Sequence, residues 1–322
     1  MKHLLFLFLT LFILKAPAFA QNEIISKAED LVKAEEFVQA VSLLENELPN
    51  YSNNEQLLLL LGKSYMETQD YPKAIDTFSD LTKVDNQNAE YFYLLGEASF
   101  EALSNTSSIF KMSTYSTKMK SAMSKALEID PSHVNARIRL SNFYLNAPMI
   151  AGGSSKKALE HAQILKKYDP NLGYQLMASV YKEQEEFEKA EQIYLTMLNE
   201  GVEEKRLYYL ISVVKFDQKD YEATMDYSEQ SMKAHPEYLT AYYQYGKAAA
   251  YAGKNFDTAL SHLNYFLEHH HSETSPSIHW AHLRLGQIYS LQENTTAAKQ
   301  AFNKAIELKP DFDEAKKELK KL

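Results

Sequence analysis

Six of the ten histidines fall in one stretch, at His262, His269, His270, His271, His279 and His282. Imidazole is a common ligand for zinc, copper and nickel, and His279 and His282 stand at i, i+3, where a helix would put them on one face. His269–His271, however, run consecutively into the polar stretch Ser272-Glu273-Thr274-Ser275-Pro276, so their side chains diverge. No HExxH pair or neighbouring acidic base completes a catalytic site. The segment therefore reads as a solvated loop, with no metal and no cofactor.

Other chemistry is equally sparse. Gly152-Gly153 ahead of Ser154 and Ser155 could present backbone amides to an anion, but the strand and lysine of a phosphate-binding loop are missing, and a shaped turn is the reading that remains. The paired carboxylates Glu35-Glu36, Glu185-Glu186 and Glu203-Glu204 sit in turns or at helix ends, where solvation accounts for them. Cysteine is absent, which excludes disulfides, thiolate metal sites and a cysteine nucleophile. With no GxSxG elbow either, the chain is expected to be non-catalytic. Asn105-Thr106-Ser107 and Asn294-Thr295-Thr296 fit the glycosylation pattern, which matters only in a eukaryotic secretory pathway.

Residues 1–20 combine a basic start, the apolar run Leu4–Leu14 and Ala18-Phe19-Ala20, and are expected to be a cleavable export signal. Eleven apolar residues ended by Lys15 fall short of the roughly 20 that span a bilayer. No integral span is expected after cleavage, and without a cysteine there is no lipid anchor, so a periplasmic or secreted location follows. Removing Lys2 and Lys15 leaves 32 basic against 43 acidic side chains, a net charge of −11. That average disfavours nucleic acid and anionic membranes as partners, since both need a cationic face.

What the chain does encode is a recurring frame. Leu57–Thr82 reads as two short helices with a turn between them, each with one small residue, Gly62 and Ala74, around which Leu58, Leu61, Tyr65 and Phe78 pack. The small residue of the first helix recurs as Ala28, Gly62, Gly96, Ser141, Ala178, Ile211, Gly246 and Gly286. That of the second recurs as Ala40, Ala74, Met119, Ala158, Ala190, Ala223, Ala259 and Ala298, twelve residues later in five of the eight pairs. Glycine at such a position should reject leucine but accept alanine at little cost.

A unit step of 33 to 45 residues with helix-turn-helix content resembles the tetratricopeptide repeat, most closely at Leu285-Gly286, Tyr289, Ala298, Phe302, Ala305 and Pro310. The resemblance implies an all-α superhelix, an α-solenoid of about eight repeats over 21–322, near 24–48, 55–84, 89–130, 134–169, 172–199, 203–235, 238–271 and 277–310, with a capping helix at 311–322. Three interruptions mark the array: eleven extra residues in repeat three, expected to lengthen its second helix by about 16 Å; the longer turn Ala147–Ser155; and the histidine segment. The methionine stripe Met112, Met119 and Met123 of that long helix reads as core.

In the family the first helices line a concave surface. The inward positions here carry Tyr93, Tyr208 and Tyr243, with Tyr209 and Tyr242 beside them and Asn142 and Lys247 among the polar residues. Aromatic residues with scattered polar groups suit a protein or peptide partner. The same rings could stack on sugars, so a cell-envelope glycan is the second reading. The family's carboxylate clamp is not met, because Leu59, Lys63, Tyr93 and Glu97 do not supply it. The exported protein is expected to begin at Gln21; amino-terminal sequencing that returned Met1 would contradict the signal.

Overall fold

A computed structural model describes residues 22–271 and 276–322. The expected export signal and Ser272–Ser275 lie outside the described residues. All regular structure among them is helical. The first helices of the pairs are α1 (22–33), α3 (Glu55–Glu67), α5 (Ala89–Ser104), α7 (Val134–Asn146), α9 (Pro170–Glu183), α11 (Leu207–Asp217), α13 (Thr240–Ala252) and α15 (Ile278–Leu291). Their partners are α2 (Phe37–Glu47), α4 (Tyr71–Val84), α6 (Ile109–Ile129), α8 (Ser155–Leu165), α10 (Phe187–Asn199), α12 (Tyr221–Ala234), α14 (Phe256–His269) and α16 (Thr295–Leu308), and α17 (Asp313–Leu319) closes the chain. No described helix is long and apolar enough to cross a membrane.

The chain divides into two compact units, the first ending at His161 and the second beginning at Ala162. In each, successive helices pack in series, because no single amphipathic helix can bury its stripe alone. The second unit adds contacts between alternate helices, α11 with α13, α13 with α15 and α15 with α17, so its first helices form a continuous inner layer.

The small positions are the tightest points. A Cβ on Gly286 would stand 2.5 Å from Phe302 Cδ1, and one on Gly62 or Gly246 would intrude on Phe78 or Leu263 in the same way. The expectation that alanine is tolerated is therefore corrected: the partner ring is fully buried and has nowhere to retreat. At Gly96 the opposing group is the flexible Met123 tip, 2.6 Å from the added carbon. This contact also confirms the register of the third pair, with Met119 and Met123 fully buried where Ala74 and Phe78 stand in the second.

Turns between paired helices repeat one device. Glu35, Gln69, Glu185, Lys219 and Glu293 all take positive φ, and Asp70, Asp220 and Asn294 follow as N-caps whose side chains accept from Lys73, Ala223 and Ala297 backbone amides. The device corrects the sixth pair. Its left-handed residue is Lys219 and its cap Asp220, so the small positions are Ser212 and Thr224, both fully buried, one residue beyond Ile211 and Ala223. The repeated Asp-Tyr at 70–71 and 220–221 carried that signal.

The insertions are placed by the same frame. Ser108 caps α6 as expected, but the eleven added residues of the third pair are shared: three lengthen α5, one lengthens the link and seven lengthen α6. The gain in α6 is about 10 Å at 1.5 Å per residue, less than the 16 Å expected. The methionine stripe divides there, with Met119 and Met123 in the core and Met112 exposed. In the longer turn Gly152 has φ +95°, and Gly153 has no room for a Cβ beside the Ala147 carbonyl. The histidine segment is not a loop throughout: α14 runs to His269, whose ring stacks on Tyr265 at 4.0 Å, and His270 packs edge-on against Phe266. His269 and His271 stay exposed to solvent as expected, and the ring contacts of His269 and His270 hold them in different directions. At the carboxyl end Phe312 is buried beneath Trp280, so the polar cap helix starts at Asp313 instead of near Asp311.

Two outcomes are expected. Gly62→Ala and Gly286→Ala should each destabilise by about 1–3 kcal/mol, and Gly96→Ala by less, because a thioether adapts where a ring cannot; equal melting temperatures for all three would contradict the packing. His161 stacks on Tyr144 at 5.6 Å with Nδ1 buried and unpartnered, and burial pushes its pKa down from 6.5 to about 4. The folded state thus resists a proton that the unfolded chain accepts, so the contribution of His161 to stability should fall as pH drops from 6.5 toward 4 and level off below. Burial also lowers His262, His279 and His282, so His161→Phe should shrink the histidine-dependent loss without abolishing it in melts across the range.

Candidate binding face of the second unit

The inward residues named from the sequence belong to two different units. Tyr93 and Asn142 lie in the first. Tyr93 lines a hollow of about 560 Å³ with Lys63 and Glu97, and burial pushes its hydroxyl up to about 12. Its ring sits 4.9 Å from that of His133. Asn142 lines a separate cleft beside α6.

Tyr208, Tyr209, Tyr242, Tyr243 and Lys247 belong to the second unit. The corrected register of the sixth pair makes Tyr209, not Tyr208, the counterpart of Tyr243, since each lies three residues before its small residue. Tyr209 packs edge-on against Tyr238 at 5.2 Å, and burial pushes its hydroxyl up to about 12. Tyr243 is buried against Phe266 at 5.8 Å. Tyr242 stacks on Tyr265 of α14 at 4.5 Å, so it joins two helices of one pair and adds little to the inner face. Tyr208 remains partly buried on α11. The expected ridge of Tyr208 and Tyr243 is accordingly replaced by a packed row in which Tyr209 and Tyr243 are structural as well as inward.

Sequence reasoning missed the residue at the centre of this face. Arg284 on α15 is 5% exposed, donates from Nε to the Tyr243 hydroxyl at 3.4 Å and from Nη1 to Gln287 Oε1 at 2.8 Å. Its guanidinium lies 5.4 Å from the Tyr251 ring and 5.7 Å from that of Trp280. No carboxylate pairs with it among the described residues. Next to it Lys247 holds its ammonium 3.7 Å from the centre of the Phe216 ring, and burial, then Arg284, depresses its pKa below the usual lysine range. The acid that faces Lys247, Asp217, is already engaged by Lys182 at 3.3 Å. Three cations stand against one carboxylate among the rings of Phe216, Tyr251 and Trp280, a local excess of positive charge. The only sequence signal was an arginine two residues before Gly286, where the neighbouring pairs carry leucine or glutamine.

The family description "Tetratricopeptide repeat" matches residues 31–98 and again residues 279–312. Among solved structures, the C-terminal part of a TPR repeat-containing protein from Cytophaga hutchinsonii is similar over 92% of this chain and 99% of its own, at 14% identity and a TM-score of 0.53. A chain of the Cut9–Hcn1 hetero-tetramer of the APC/C is similar over 92% of this chain and 55% of its own, at 15% identity and a TM-score of 0.52. No curated protein matches the sequence. Tetratricopeptide repeats are thus matched in residues 31–98 and 279–312, near both ends of a series of helix pairs that share one small-residue register and one turn.

Proposed function

We propose that this protein is a non-catalytic interaction scaffold that holds an acidic segment of a partner protein against the inner layer formed by α11, α13 and α15. The observation that carries the reading is Arg284: a guanidinium almost wholly removed from water, with neutral partners only and a second cation, Lys247, beside it. Removing a charge from water costs several kcal/mol unless a counter-charge meets it. Cation–π contact with Tyr251 and Trp280 offsets part of that cost, and a partner carboxylate placed between the two cations would offset the rest. The surrounding rings supply the apolar area that anchors interfaces, and an extended segment would follow the helices across the layer. The scaffold acts outside the cytoplasm, as the export signal in residues 1–20 leads us to expect.

Trp280 is the only tryptophan, so its emission reports directly on this recess. Titration with peptides rich in Asp and Glu should change that emission, and the glutamine and asparagine versions of the same peptides should not. Arg284→Gln and Lys247→Gln are each expected to weaken binding about tenfold or more, with an affinity that falls as salt rises. Tyr243→Ala should first lower the melting temperature, because that ring is core. Acidic and neutral peptides bound equally well, or an Arg284→Gln protein that binds as tightly as wild type, would refute the reading; a response to neutral oligosaccharides alone would move the protein to glycan binding.

A further inference from the structure

The interruptions of the first unit converge on one place. The amino-terminal extension of α6 and the turn at 147–153 face each other across a cleft of about 770 Å³, lined by Phe100, Leu103, Met112 and Phe143 and rimmed by Ile109 and Ile150. On the rims stand the most exposed large apolar side chains of the described chain: Ile109 at 80%, Phe110 at 88%, Met149 at 89% and Ile150 at 100%. Scattered exposed apolar residues need no explanation, but four at 80% exposure or more, two of them lining one apolar cleft and the other two adjacent in sequence, form a patch of the kind that marks an interaction site.

The stretch of sequence that carries this patch is opposite in charge to the chain as a whole. Residues 102–159 carry Lys111, Lys118, Lys120, Lys125, Arg137, Arg139, Lys156 and Lys157 against Glu128 and Asp130, eight basic to two acidic, in a protein of net charge −9. Lys125 is met by Glu128 and Arg139 by Glu97. Lys111, Lys118, Lys120, Lys156 and Lys157 have no carboxylate partner among the described residues; Lys120 instead lies 5.3 Å from the Phe143 ring at the cleft and Lys157 lies 5.2 Å from that of Tyr144. An acidic average thus conceals a basic island with apolar tips, which revises the inference drawn above from net charge alone.

From this juxtaposition we infer that the α6 extension and the 147–153 turn dock the protein on the surface of an anionic lipid bilayer, with Ile109, Phe110, Met149 and Ile150 entering the interface and the lysines meeting lipid headgroups. Apolar side chains at a protruding tip gain by burial among acyl chains, and each nearby lysine adds about a fivefold gain on an anionic leaflet. A second copy of this chain fits poorly, because a two-fold contact would set the basic island against itself. Nucleic acid would satisfy the lysines and leave the apolar tips without a counterpart.

The test is co-sedimentation of the full chain with two vesicle preparations, phosphatidylcholine alone and equimolar phosphatidylcholine with phosphatidylglycerol. Wild-type protein should pellet with the anionic vesicles and stay in solution with the neutral ones. Phe110→Ser combined with Ile150→Ser should weaken anionic-vesicle binding at least tenfold, and Lys111→Gln with Lys120→Gln about twenty-fivefold from two such gains. All four side chains are outside the core, so melting temperatures should match wild type; Ile109→Ser with Met149→Ser provides an independent pair should the first fail to fold. Wild-type protein that ignores both preparations overturns the inference and turns attention to an acidic protein partner for the patch. Binding to both vesicles alike, or apolar-tip variants that bind as wild type, overturns it as well.

Discussion

Four of the helix pairs turn on one close contact, the glycine of the first helix against a large side chain of the second. Gly62 receives Phe78, Gly246 receives Leu263 and Gly286 receives Phe302, with no room for a further carbon between them. The contact sets how near the two axes come, and the turn must then reverse the chain within a few residues. A left-handed residue followed by an N-cap does this at Gln69-Asp70, Lys219-Asp220 and Glu293-Asn294. Glutamine, lysine and glutamate in that conformation are strained relative to glycine, and the packed pair on either side holds them there. The frame is so constrained that added residues go elsewhere, into helix ends and the link of the third pair or into the turn at 147–153.

Those constraints also explain where binding chemistry can stand. Positions facing the pair partner are committed to packing, so only residues pointing away from it are free to vary. On the second unit these form an inner layer whose central charges, Arg284 and Lys247, are held by rings and neutral polar groups instead of carboxylates. Replacing such a buried cation by an apolar residue of similar volume is often neutral or stabilising. Its presence without a counter-charge is therefore poorly explained by stability alone.

The first unit offers the contrasting case. Its interruptions carry Ile109, Phe110, Met149 and Ile150 into solvent, with Lys120 of α6 at the cleft between them. The two units thus present different chemistries, buried cations among aromatic rings in the second and exposed apolar tips on a lysine-rich stretch in the first. Net charge describes neither, since electrostatic attraction over a Debye length of about 8 Å depends on the local set of charges.

The frame was legible in the sequence because its determinants are local. Gly62 with Phe78 and Gly286 with Phe302 lie sixteen residues apart, Asp70 and Asn294 cap the helices they precede, and Ser108 announces the start of α6. Short-range spacing of this kind repeats with the chain and survives the loss of any single position. The sixth pair was misplaced by one residue because the small apolar Ala223 outweighed the Asp-Tyr turn signal at 220–221. The surroundings of individual side chains were decided only by tertiary structure. Arg284 meets Tyr243 across forty-one residues of chain, the methionine stripe divides between core and solvent where α6 outruns its neighbours, and Ile109 meets Ile150 over a cleft that neither segment forms alone. Burial, pairing and pKa are properties of the assembled layers, where partners come from different repeats, and spacing within one repeat carries no record of them.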